Sequence, residues 1–204
     1  MRISRLGIYG GTFNPIHTGH LIIAQEIYEQ CGLDRLVFMP SARPPHKHLA
    51  GVAAPEHRYR MAVLATREDP RFEVSDLELQ RPGPSYTIET LQELRRLHGD
   101  ACRLFFAIGA DSLVDIATWR APEQLFALAA VVVVPRPGVD IRRAPAPWRD
   151  QVVLVRSPEV DISSTDIRRR VAEGRSIRYL VPEPVERYIA EHRLYKGGIM
   201  KEEG

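Results

Sequence analysis

The chain has 204 residues, 44% of them hydrophobic, enough for one substantial core and within the usual roughly 100–200 residues of a single domain. Its 28 Lys and Arg stand against 26 Asp and Glu, and a net charge of +2 is far from the basic excess of a dedicated nucleic-acid binder. Cys31 and Cys102 lack CxxC spacing and disulfide-scaffold density, and no apolar run approaches the roughly 18 residues needed to span a membrane. A soluble cytoplasmic protein with reduced thiols and no nucleic-acid or membrane partner is expected; self-association stays open.

Six apolar runs rich in β-branched residues predict buried strands: Leu6 to Tyr9, Arg35 to Met39, Phe72 to Leu77, Leu104 to Ile108, Val131 to Val134 and Val152 to Val155. Helical spacing fills Leu21 to Gln30, Glu56 to Arg67, Thr87 to His98 and Pro122 to Leu128 between them. A C-terminal helical portion follows, with Thr165 to Glu173 and Glu183 to His192. Alternating strands and helices predict an α/β fold: a Rossmann-like, doubly wound, mostly parallel sheet with helices on both faces. Ligands of such sheets bind beyond the carboxyl ends of the strands. The segment Pro135 to Trp148 is expected to be an irregular excursion, with Arg142, Arg143 and Arg149 in solvent, and the tail Lys196 to Gly204 is expected to fray.

Gly10, Gly11, Thr12 and Phe13 leave the first strand, and Asn14-Pro15-Ile16 leads to His17-Thr18-Gly19-His20 at a helix start. Glycines let backbone approach an anion, and a helix N-terminus offers unpaired N–H groups and the positive end of its dipole. His17 and His20, three residues apart, can face one anion and donate to its oxygens. A plain Gly-Gly turn with surface or capping histidines uses the same residues. The spacing fits neither GxGxxG nor a Walker loop, and zinc lacks a third ligand unless His46 or His48 comes near.

The segment GGTFNPIHTGH resembles the signature of the HxGH nucleotidyltransferase superfamily. The resemblance implies that His17 and His20 bind the phosphates of ATP and stabilise the transition state at the α-phosphorus. Gly10, Gly11, Thr12, Phe13 and Gly19 complete that side of the nucleotide site.

A second segment, Asp161-Ile162-Ser163-Ser164-Thr165-Asp166-Ile167-Arg168, places three hydroxyls at a helix start with an arginine one turn inside. Capping accounts for the hydroxyls by itself; with the arginine they also make a cradle for phosphates. The stretch resembles the superfamily's second signature, ISSTxIR. By that resemblance Ser163, Ser164, Thr165 and Arg168, with Ile162 beside them, contact the β- and γ-phosphates.

Between the signatures, Pro40 to Lys47, Pro84 to Thr87 and Gly109 to Arg120 resemble the bacterial nicotinate mononucleotide adenylyltransferases. Trp119 then stacks on the pyridine ring, Lys47 pairs with the 5′-phosphate, Asp111 accepts from ribose hydroxyls beside Gly109, and Thr87 with Tyr86 holds the carboxylate. Core packing for Trp119, capping for Asp111 and a solvated surface for Lys47 are the alternatives from the residues alone. Val134 to Gly138 resembles the loop beside ATP, with Arg136 as its nucleotide contact. Two positions depart from the pattern: Asn14, where Asp is frequent, and Arg43, where a smaller or amide residue is common.

The resemblance implies transfer of AMP from ATP to nicotinate mononucleotide, giving the deamido dinucleotide and pyrophosphate, with Mg²⁺ carried on the triphosphate and no protein metal site. The competing readings are another HxGH adenylyltransferase or a cytidylyltransferase, for example with a phosphopantetheine acceptor, or a non-catalytic nucleotide-binding protein.

Overall fold

The computed structural model describes residues 3–42, 51–81, 83–136 and 138–196. Arg43, His46, Lys47, His48 and the tail beyond Lys196 lie outside the described residues. Among the described residues, six strands form one parallel sheet in the order β3-β2-β1-β4-β5-β6. They are β1 (Arg5–Gly11), β2 (Arg35–Pro40), β3 (Phe72–Val74), β4 (Arg103–Gly109), β5 (Ala129–Val134) and β6 (Val153–Leu154). This is the doubly wound order, with its topological switch between β1 and β4.

The helices are α1 (Thr18–Gln30), α2 (Pro55–Thr66), α3 (Thr87–His98), α4 (Ala110–Val114), α5 (Pro122–Leu128), α6 (Ala146–Arg149), α7 (Ser164–Ala172) and α8 (Glu183–Glu191). Strand side chains alternate between two cores, as a sheet covered on both faces requires. Phe38, Phe105, Val132 and Val134 enter one core with Ala24 and Ile27 of α1, Met61 of α2, Ile167 of α7 and Val185 of α8. Ile8, Val37, Met39, Leu104, Phe106 and Val133 enter the other with Leu91 of α3, Leu113 of α4 and Leu125 of α5.

Three sequence expectations change. The third strand ends at Val74 rather than Leu77, because the Ser75 Oγ accepts from the Leu77 N–H and the chain turns there. The sixth strand shortens to Val153–Leu154, an exposed edge pair. The expected excursion from Pro135 to Trp148 contains a 3-10 turn at Ile141–Arg143, capped by Asp140, and the start of α6. The helix expected after Gly109 is the short α4, with a 3-10 turn at Ile116–Thr118 behind it. Among the described residues, no helix is long and apolar enough to cross a membrane.

Candidate active site

β1 and β4 end side by side at the switch point, so Gly10 and Gly11 open onto the same crevice as Gly109. Phe13 has φ +46°, a conformation that needs support from its surroundings in a non-glycine residue. The support is aromatic: its ring lies 5.6 Å from Tyr9, 5.7 Å from Phe38 and 5.1 Å edge-on from His20. A Cβ on Gly11 would stand 2.8 Å from the Phe13 ring, so glycine is required for the loop to fold over its own phenylalanine. The Phe13 side chain is therefore structural.

His17 is the N-cap of α1 and is buried, 7% exposed. Its ring stacks on His20 at 3.7 Å. The His17 N–H donates to the His20 Nδ1 at 3.2 Å, which makes Nδ1 an acceptor and puts the proton of neutral His20 on Nε2. The His17 Nδ1 is buried without a hydrogen-bond partner among the described residues. Burial, reinforced by the Arg136 charge, pulls the His17 pKa down to about 4. An anion beside the ring would favour the proton.

This shift makes stability depend on pH. Between the unfolded value of about 6.5 and the native value of about 4, the unfolded chain takes a proton that native His17 resists. Stability is therefore complete above pH 6.5 and falls as pH drops towards 4, by about 3 kcal/mol at most from this group. Urea unfolding of the ligand-free protein at pH 7 and pH 4.5, compared with His17→Ala, isolates that contribution. An unchanged difference between the two proteins across this range would sink it.

The second signature stands against the first. Ser163 is the N-cap of α7, its Oγ accepting from the Asp166 N–H at 3.1 Å. The Ser164 Oγ donates to the Pro15 carbonyl at 2.9 Å, and Arg168 Nη1 donates to the Asn14 carbonyl at 2.9 Å. Arg168 Nη2 reaches the Thr165 Oγ1 at 3.3 Å, and Ile162 packs against the core. The hydroxyls of Ser163 and Ser164 thus work inside the protein here, capping one helix and joining it to the loop of the other. Thr165 is exposed and Arg168 half-buried beside the same loop.

Across the crevice, Arg136 Nε lies 3.5 Å from the Asp111 Oδ1, both side chains about half exposed. A Cβ on Gly109 would stand 2.4 Å from that carboxylate oxygen and 3.0 Å from Arg136 Nε, so the pair depends on glycine at the end of β4. Trp119 is half-buried, its ring edge-on to Phe106 at 6.3 Å. Tyr86 is the N-cap residue of α3 but no side chain caps that helix. Arg120 lies over the Tyr86 ring at 4.7 Å and donates to Glu89 Oε1 at 2.8 Å, which binds the Trp119 turn to the start of α3. Thr87 is the first residue of α3.

Three residues have contacts around this crevice that the sequence did not reveal. Asn14 is buried; its Nδ2 donates to the Gly51 carbonyl at 3.2 Å, and its Oδ1 accepts from the Ala53 N–H at 3.0 Å and the Tyr195 hydroxyl at 2.8 Å. An aspartate here would face the Gly51 carbonyl with a second oxygen, so the amide suits this chain's own loop. Arg58 is almost wholly enclosed. Tyr195, just before the tail expected to fray, is held in place by Asn14.

The chain belongs to the cytidylyltransferase-like family, whose model matches residues 8–170. Within it, the chain is one of the nicotinate-nucleotide adenylyltransferases. It is 53% identical over 192 residues to a Thermus thermophilus protein described as "Probable nicotinate-nucleotide adenylyltransferase", covering 94% of this chain and all of that one. A Streptomyces coelicolor protein of the same description is 50% identical over 92% of this chain and 99% of its own length. Among solved structures, Plasmodium falciparum nicotinic acid mononucleotide adenylyltransferase complexed with NaAD superimposes with a TM-score of 0.77 over 94% of this chain and 97% of that one. At 20% identity that likeness is one of fold.

Proposed function

We propose that the crevice at the β1–β4 switch point transfers AMP from ATP to nicotinate mononucleotide, releasing pyrophosphate and the deamido dinucleotide. The observation that carries this is the junction of the two signatures, Ser164 on the Pro15 carbonyl and Arg168 on the Asn14 carbonyl. It puts a hydroxyl-rich helix start and a histidine-bearing helix start around one space.

ATP enters with magnesium on its phosphates. Such a cation would be held largely by substrate oxygens and water. Gly10, Gly11, the Phe13 backbone and Gly19 admit the phosphates closely, and Arg136 and Arg168 supply positive charge. An oxygen of the acceptor phosphate attacks the α-phosphorus in line, and the bond to the oxygen bridging α- and β-phosphorus breaks. The acceptor phosphate is already ionised near neutral pH, so no protein base or nucleophile is needed. His17 and His20 donate to the oxygens that gain charge.

On the acceptor side, Trp119 offers a ring face, Asp111 accepts from ribose hydroxyls beside Gly109, Lys47 meets the 5′-phosphate, and Tyr86 and Thr87 lead the carboxylate to the start of α3. Pyrophosphate release from ATP with a panel of nicotinate mononucleotide, nicotinamide mononucleotide and phosphopantetheine tests the assignment. Release is expected with the pyridine mononucleotides and not with phosphopantetheine. ATP binding without release for any member would instead mark a binding protein.

A further inference from the structure

Arg58 lies on the first turn of α2 and is 1% exposed. Its Nη1 donates to the Thr12 carbonyl at 2.8 Å, its Nη2 to the Ala42 carbonyl at 3.1 Å and its Nε to the Ala53 carbonyl at 3.0 Å. Among the described residues no carboxylate pairs with it. Burial consequently lowers its pKa. A buried cation compensated chiefly by carbonyl dipoles, with Glu56 acting only through space, is costly, and a hydrophobic side chain would fill the same volume without that cost. What the guanidinium adds is a rigid planar fork whose donors reach three separate chain segments together.

Those three carbonyls have a common meaning. Thr12 belongs to the glycine loop assigned to the phosphates of ATP. Ala42 and Ala53 flank the segment that carries Lys47, assigned to the phosphate of the acceptor. Asn14 repeats the connection from the loop side, holding Gly51 and Ala53.

We infer that Arg58 is a positioning residue that fixes the distance between the ATP-phosphate loop and both ends of the acceptor-phosphate segment. It touches neither substrate; it sets how far apart the attacking phosphate and the α-phosphorus are held. In-line transfer is sensitive to that distance, since a misplacement of about 1 Å costs about 100-fold. The inference rests on the proposed function.

The test uses the full chain as Arg58→Lys and Arg58→Ala, with pyrophosphate release as the assay and thermal melting as the measure of folding. Lysine keeps a charge but concentrates its donors at one point. Arg58→Lys is expected to lose about tenfold in turnover, counted per folded molecule from the melting curve, with smaller changes in the KM for ATP and for nicotinate mononucleotide. Arg58→Ala is expected to lose about 30-fold in turnover and to regain several-fold of it with low-millimolar guanidinium, which leaves the wild type unchanged. A loss that disappears once the rate is counted per folded molecule overturns the inference, and so does a change confined to the KM of one substrate. If Arg58→Ala does not fold, the turnover of Arg58→Lys decides. Absence of pyrophosphate release by the wild type in the same assay rejects the functional reading itself, and the Arg58 role with it.

Discussion

His17→Ala is expected to lower turnover roughly 100- to 1,000-fold while its melting temperature at pH 7 stays level or rises. The two effects come from different atoms of one side chain. The His17 Nδ1 is buried without a partner among the described residues, and an unsatisfied buried polar atom costs about 1–3 kcal/mol. Alanine removes that atom, which offsets the lost packing of the ring on His20. It also removes the donor that the proposed mechanism gives to the oxygens that gain charge. His20→Ala should behave differently: it also loses turnover, but its Nδ1 accepts the otherwise open His17 N–H, so about 1 kcal/mol of stability goes with it. Steady-state turnover and thermal melting of both variants check the pair. Near-normal turnover in His17→Ala removes the histidine from the mechanism.

With nicotinate mononucleotide, kcat/KM is expected to exceed that with the amide form by about 100-fold. Twelve-residue α3 begins at Thr87 with no side-chain cap among the described residues; the Glu89 N–H turns back to the Tyr86 carbonyl at 3.1 Å, and the earlier N–H groups of the turn with the positive end of the dipole suit a carboxylate. The acidic residue of its first turn, Glu89, is engaged by Arg120 at 2.8 Å, which limits competition with a substrate carboxylate. A carboxylate accepts from these N–H groups through either oxygen, whereas the amide turns an NH₂ donor toward donors. Hydrogen bonds to a charged partner contribute about 1.5–3 kcal/mol, which sets the expected ratio. Equal efficiencies for the two acceptors would move the carboxylate away from α3.

The sheet was largely legible in the chain because strand alternation and helix periodicity are local properties. Val131 to Val134 and Thr87 to His98 carried their element type in their own composition. The third strand was overextended because Leu77 continues the apolar run, while the turn that ends it depends on a single hydroxyl at Ser75. The crevice was legible as two motifs, but which atoms they use on each other was not. Ser164 and Arg168 look like phosphate contacts in the sequence, yet each has a bond to the first loop that only the fold brings within reach. Arg58 was opaque for a stronger reason: within His57-Arg58-Tyr59-Arg60 it looks like one of two surface arginines. Its burial is decided by carbonyls from Thr12, Ala42 and Ala53, in segments with no pattern of their own.

The bond from the Tyr195 hydroxyl to Asn14 spans 181 residues. With the Thr18 N–H on the Leu180 carbonyl, it makes the first loop of the chain depend on nearly the last described residues. Contacts of such separation form late, after the entropy of closing the intervening chain has been overcome. During synthesis the sheet can therefore begin to assemble while its nucleotide loop still lacks this support. The loop gains its full set of native contacts only once the chain through Tyr195 has cleared the ribosome.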